Sequence, residues 1–132
     1  MNKNLRKSYG SRRGVFGKHL IMDAYGVDEK KLRNRLALIK LLSRLPKRLK
    51  MTIIGEPLVS KVSSTIPKYT DWGLSGFVIL LESHISFHTW PKDGFVAMDV
   101  YSCKDFNHEN TVKYLKSYWR PKKMRIKIII RG

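Results

Sequence analysis

Residues 75–103 read SGFVILLESHISFHTWPKDGFVAMDVYSC. SGFVILLE (75–82) is a short, apolar, β-branched run, the composition of a buried strand. SHISFHT (83–89) continues with a period of two: Ile85 and Phe87 share one face, and His84, Ser86 and His88 the other. Pro91, Asp93 and Gly94 mark a turn, and FVAMDVYSC (95–103) alternates again. Strands joined by connections this short pair antiparallel, because a parallel crossover needs a dozen residues or more.

Working outward, GKHLIMDAY (17–25) reads as a further buried strand. Asp28 reads as a helix N-cap. After it, Leu32, Leu36, Ile39 and Leu42 or Ser43 recur at helical spacing between Lys and Arg, predicting an amphipathic helix of four to five turns that Pro46 stops. MTII (51–54) predicts a short strand, Gly55 and Pro57 a turn, 58–66 an edge strand, and PKYTDWGL (67–74) a loop. Asn107 is placed to cap a helix through Trp119, which Pro121 closes, and MRIKIII (124–130) predicts a last strand. The pattern β-α-β-β-β-β-β-α-β predicts an α+β fold, a two-layer α/β sandwich with a mostly antiparallel sheet and helices on one face.

A length of 132 residues suits a single domain, expected over 17–132 behind a basic N-terminal arm at 1–16. One cysteine, Cys103, excludes an internal disulfide and a cysteine-cluster metal site. No apolar run is long enough to span a membrane and the N-terminus has no secretory pattern, so a cytoplasmic location is expected. The formal net charge is +17. Residues 1–50 hold 15 basic and 3 acidic side chains, residues 51–100 hold 3 and 5, and residues 101–132 hold 9 and 2. The charge therefore sits away from the middle third, where the reactive residue types gather. Such a balance suits a nucleic-acid or other acidic partner for the arm and the helix face, or simply a solvated surface.

Ser83, His88 and Cys103 are hydroxyl, imidazole and thiol groups within strands. On residue types alone they can be a catalytic set or ordinary sheet residues. There is no HExxH helix and no second cysteine, so no metal is expected. A P-loop, a GxGxxG and a GxSxG elbow are all absent.

Four pieces in order and spacing carry more: GLSG (73–76), ESH (82–84), HTWP (88–91) and DVYSC (99–103). Together they resemble the S-adenosylmethionine decarboxylase family in its short bacterial and archaeal form. The resemblance implies a proenzyme that cuts itself between Glu82 and Ser83, giving a β chain of 1–82 and an α chain of 83–132. Ser83 Oγ attacks the preceding carbonyl and turns the amide into an ester. Ser75 assists, and His88 removes the serine α-proton. Elimination and hydrolysis then leave a covalent pyruvoyl group derived from Ser83, with loss of ammonia. The substrate is held there as a Schiff base while CO₂ leaves, and Cys103 returns a proton to the α-carbon.

The resemblance also implies a homodimer with sites at its interface. The product would supply aminopropyl groups for spermidine. Tyr69, Trp72, Glu82 and Lys92 are the expected substrate contacts. At Lys92 the family usually has an acidic residue that meets the ribose hydroxyls, and a lysine can donate to a hydroxyl but not accept from one. That departure keeps ornithine or arginine as alternative substrates, with Asp71 or Asp93 to receive a second cation. A reading of another class is a non-catalytic basic domain that binds nucleic acid.

Overall fold

The computed structural model describes residues 15–63 and 71–132. The order is β1 (Gly17–Tyr25), α1 (Glu29–Leu32), α2 (Arg35–Arg48), β2 (Ile53–Ser63), β3 (Trp72–Leu80), β4 (Ser83–Trp90), a 3₁₀ turn (Pro91–Asp93), β5 (Phe95–Ser102), α3 (His108–Trp119) and β6 (Lys123–Arg131). The strands form one six-stranded sheet in the order β2-β3-β4-β5-β1-β6. Every neighbouring pair is antiparallel; short connections impose this on β3-β4 and β4-β5, and β1 inserts antiparallel between β5 and β6. The expected α+β sandwich is what forms.

The alternation read in the sequence sorts the sheet into two faces. Leu20, Met22, Val78, Ile85, Phe87, Met98 and Val100 are buried in one core with Leu38, Leu41, Leu42 and Leu45 of α2 and Leu115 and Trp119 of α3. Each such side chain contributes on the order of 1.5–3 kcal/mol by leaving water. The other face has no helix among the described residues. It carries His19, Ser75, His84, Ser86, His88, Asp99 and Tyr101, with Leu58, Phe77 and Ile79 exposed beside them.

Four expectations are corrected. The predicted single helix is two. Asn34 caps a new one, its side chain accepting from the Ala37 N–H at 3.1 Å, and the restart resets the helical phase. Leu36 is consequently 69% exposed while Leu38, Leu41, Leu42 and Leu45 face the core.

Pro46 lies inside α2, which runs on to Arg48. So close to the end, the missing N–H removes only the bond to the Leu42 carbonyl, while the carbonyls of Leu45, Pro46 and Lys47 accept from the Leu49, Met51 and Lys50 N–H groups beyond the helix.

Residues 53–54 and 58–63, expected in two strands, belong to one, β2, with a register shift between Ile54 and Leu58 where a turn was expected; residues 64–66 of the expected edge strand lie outside the described residues. β2 is an edge strand, and an edge tolerates both the bulge and Pro57.

Residues 72–74 belong to β3 and not to a loop, whereas Leu81 and Glu82 leave the strand and form the turn to β4. The basic arm lies outside the described residues up to residue 14. Phe16 already joins the sheet, its N–H donating to the Arg131 carbonyl at 2.7 Å.

Candidate active site

The GLSG segment lies in β3, pressed against β4. A Cβ on Gly73 would come within 2.0 Å of the Thr89 carbonyl oxygen, and one on Gly76 within 2.6 Å of the Phe87 ring. Only glycine lets the two strands approach this closely. The register then sets Ser75 opposite His88, and Ser75 Oγ lies 2.8 Å from His88 Nδ1. This pair lines a cleft of about 540 Å³ with Asp71, Trp72, Trp90 and Asp93. Trp72 is half-buried, with the Arg33 guanidinium 4.6 Å and the Lys61 ammonium 4.7 Å from its ring centre. Asp71 is likewise taken. Burial alone would raise its carboxyl pKa, but the Arg33 hydrogen bond at 2.7 Å and the Trp72 and Lys92 N–H groups hold it below the usual carboxylate range. Lys92 is exposed in the adjoining 3₁₀ turn, and Tyr69 lies outside the described residues.

Ser83 opens β4 at its other end. Leu80 pairs with Ser83, so Leu81 and Glu82 form a two-residue hairpin connection. Such connections favour turns with positive φ at Asn, Asp or Gly. Neither Leu81 nor Glu82 adopts positive φ; the positive value falls on Ser83, at φ 155. Backbone of this kind costs a non-glycine residue on the order of 1–3 kcal/mol and persists only where its surroundings impose it.

The surroundings are specific. Glu82 is buried, and its Oε1 accepts from the Thr52 N–H at 2.8 Å. Its carbonyl oxygen accepts from the Cys103 N–H at 2.9 Å, and the Leu81 N–H donates to the Thr52 carbonyl at 2.8 Å. Burial pushes the Cys103 thiol pKa up and the Glu82 carboxylate adds to this, against smaller opposing effects of its own backbone N–H and the Ser83 hydroxyl. The thiol therefore stays protonated at neutral pH, as a proton donor needs.

The structure thus divides the predicted residues into two groups. Ser83, Glu82 and Cys103 meet at one end of β4, and Ser75 and His88 meet at the other. Five residues along a strand span about 16 Å.

The sequence reading missed a third group. Asp99 Oδ2 lies 2.6 Å from His19 Nε2 and 3.0 Å from His84 Nε2, while Ser86 Oγ donates to Asp99 Oδ1. Burial would raise the Asp99 carboxyl pKa, but hydrogen bonds from His84, Ser86 and His19 bring it down to about 2. The donor atoms of His19, His84 and Asp99 lie within 4.8 Å of one another, close enough to share an ion as well as protons. The available signal was a carboxylate within a strand, on the non-core face, directly across from Ser86. A larger cleft of about 780 Å³ between α2 and α3 is lined by Arg48, Lys50, Lys104 and Lys113 but by none of the reactive residues. The chemistry belongs with the sheet. Among the described residues no helix is long and apolar enough to cross a membrane.

The profile of the family described as S-adenosylmethionine decarboxylase matches residues 18–132. A protein named S-adenosylmethionine decarboxylase proenzyme from Clostridium botulinum (strain Loch Maree / Type A3) is 37% identical over 117 residues, covering 88% of this chain and 94% of its own. One of the same name from Thermoplasma volcanium is 34% identical over 117 residues, covering 88% and 84%. The crystal structure of the adenosylmethionine decarboxylase from Aquifex aeolicus superposes with a TM-score of 0.72 at 30% identity, over 89% of this chain and 92% of that one.

Proposed function

The chain belongs to the S-adenosylmethionine decarboxylase family, and from that premise we propose that it decarboxylates S-adenosylmethionine, as a step of polyamine synthesis, with a pyruvoyl group made from its own Ser83. The observation that carries this reading is the Glu82–Ser83 junction: a serine at φ 155 following a carbonyl that already accepts the Cys103 N–H at 2.9 Å. A serine hydroxyl is the nucleophile an amide-to-ester shift needs. A hydrogen-bond donor fixed on the attacked carbonyl stabilises the oxyanion that forms. Cleavage there divides the chain into residues 1–82 and 83–132.

The pyruvoyl group supplies an electron sink for loss of CO₂ from an α-amino acid. The chain's own residues do the rest. Cys103, a partly buried thiol held protonated, is the proton donor to the substrate α-carbon. His88, with Ser75 in hydrogen-bonding reach of its Nδ1, is the base for the Ser83 α-proton.

His88 is about 16 Å along β4 from the Ser83 of its own chain, too far for proton transfer. The working site therefore combines Ser83 and Cys103 of one copy with the partner subunit's Ser75 and His88. The helix-free face, with Leu58, Phe77 and Ile79 exposed on it, is the surface such a homodimer would bury. The aromatic-lined cleft beside His88 then becomes the substrate's seat. Of the two carboxylates there that could receive a second cation of ornithine or arginine, Asp71 is engaged by Arg33 and Asp93 remains on the cleft wall; the family membership is what favours S-adenosylmethionine.

Intact mass under denaturing conditions tests the proposal. Two fragments divided between Glu82 and Ser83, the second beginning with pyruvoyl, together with CO₂ release from S-adenosylmethionine, are expected. A single full-length mass that persists for days overturns it.

A further inference from the structure

On the self-cleavage reading above, the first bond change at residue 83 is uphill for a relaxed peptide and needs a driving force. Two observations join there. The turn between β3 and β4 has two residues, Leu81 and Glu82, neither of a type that enters positive φ readily. The positive φ falls instead on Ser83, at 155. Left alone, such a junction would relax by opening the hairpin end or shifting the turn. It is prevented from doing so on both sides. Upstream, the Glu82 carboxylate is fixed on the Thr52 N–H at 2.8 Å, and the Leu81 N–H on the Thr52 carbonyl at 2.8 Å. Downstream, His84 Nε2 lies 3.0 Å from Asp99 Oδ2, and that carboxylate is itself held by His19 from β1 and Ser86 from β4.

We propose that the Leu81–Glu82 turn and its two anchors, Glu82 on Thr52 and His84 on the His19–Asp99 pair, form a clamp that stores backbone strain at Ser83 and spends it on the amide-to-ester shift. In that step Ser83 Oγ bonds to the Glu82 carbonyl carbon, the carbon–nitrogen bond breaks, and the hydroxyl proton ends on the freed Ser83 nitrogen. No oxidant or co-reactant enters. The product ester is released from the planar peptide restraint across residues 82 and 83, so the strain is relieved as the bond changes. Glu82, His84, Asp99 and His19 act here as positioning residues, since none of them has to exchange a proton in this step.

The test follows cleavage of freshly refolded full-length chain by intact mass. Leu81→Gly gives the turn a first residue that takes positive φ freely. Leu81 is 47% exposed, so little packing is lost. This variant is expected to melt no lower than the parent yet to cleave about tenfold more slowly, the rate equivalent of about 1.4 kcal/mol. Glu82→Ala is expected to slow cleavage by a similar factor. Glu82→Gln, whose amide oxygen still accepts from Thr52, is expected to stay within about threefold of the parent. Half-exposed His84→Ala should behave like Glu82→Ala. Hydroxylamine cleaves esters, so it should leave all the slow variants slow, because their defect precedes the ester. A folded Leu81→Gly chain that cleaves at the parental rate overturns the clamp, as does a Glu82→Gln chain as slow as Glu82→Ala, or rescue by hydroxylamine. If Leu81→Gly does not fold, the Glu82 pair and His84→Ala decide. A parent chain that never cleaves defeats the self-cleavage reading itself, a different result from variants that match a cleaving parent.

Discussion

The backbone N–H of Cys103 donates to the carbonyl oxygen of Glu82 at 2.9 Å, so one residue presents its main chain to the bond proposed to break and its thiol to the site proposed to form. The two roles are separable by mutation. Cys103→Ala keeps the N–H and is expected to cleave, while kcat for decarboxylation falls by about a hundredfold or more, the typical worth of a general acid. Intact mass and CO₂ release measured on one preparation check this; a variant that cannot cleave but is otherwise folded would count against it.

A split site predicts complementation between chains. On the proposed roles Ser83→Ala lacks the nucleophile and His88→Ala the base, so each alone should remain uncleaved or stall before pyruvoyl forms. When the two are co-expressed, a mixed dimer pairs the intact Ser83 of one chain with the intact His88 of the other. The His88→Ala chain is then expected to be processed, in up to about half its copies if pairing is random. No processing in mixed dimers isolated through two different tags would show that each chain works alone.

Gly73 is required for space and not for turn conformation. Gly73→Ala puts a methyl 2.0 Å from the Thr89 carbonyl oxygen, which β3 and β4 can relieve only by separating. A loss of about 1–3 kcal/mol is expected, read as a fall in Tm of several degrees, with weakened processing because Ser75 leaves His88. An unchanged Tm would show that the strands are looser than their register implies.

Asp99 gives the protein an acid limb. Its carboxyl pKa falls from an ordinary 3.8 to about 2 in the fold. The sign follows from the direction. The unfolded chain binds this proton more readily, so the group's contribution is complete above about pH 4 and is lost as pH falls toward 2. Asp99→Asn should therefore be less stable than the parent at neutral pH, and the two Tm curves should converge between pH 4 and 2. Curves that stay parallel across that window would mean that the hydrogen bonds from His84, Ser86 and His19 do not favour the carboxylate in the folded state.

Much was legible before the fold was known, and for one reason: a period of two survives folding unchanged. The alternation over 83–103 separated Ile85, Phe87, Met98 and Val100 from His84, Ser86, His88 and Asp99, and the sheet keeps that separation. The capping residue Asn107 and the end of its helix at Trp119 were equally local and equally readable. What failed was phase. Asn34 restarts a helix inside a continuous apolar pattern, so Leu36 moved to solvent and Leu38 into the core. The bulge at 54–58 resembled a turn because Gly55 and Pro57 mark both, and only pairing with β3 tells them apart.

The strand faces, the antiparallel class and the order of GLSG, ESH, HTWP and DVYSC, and with it the family, are legible along the chain, as is the Glu82–Ser83 bond proposed to break. Those are matters of residue type and spacing along one chain. The tertiary structure decided which of these residues meet. Cross-strand register brings Ser75 to His88, Cys103 to the Glu82 carbonyl, and Asp99 to both His19 and His84. It also holds the first two groups about 16 Å apart on β4 and moves the positive φ from the turn onto Ser83. Register and strain depend on contacts between residues distant in sequence, which no local pattern encodes.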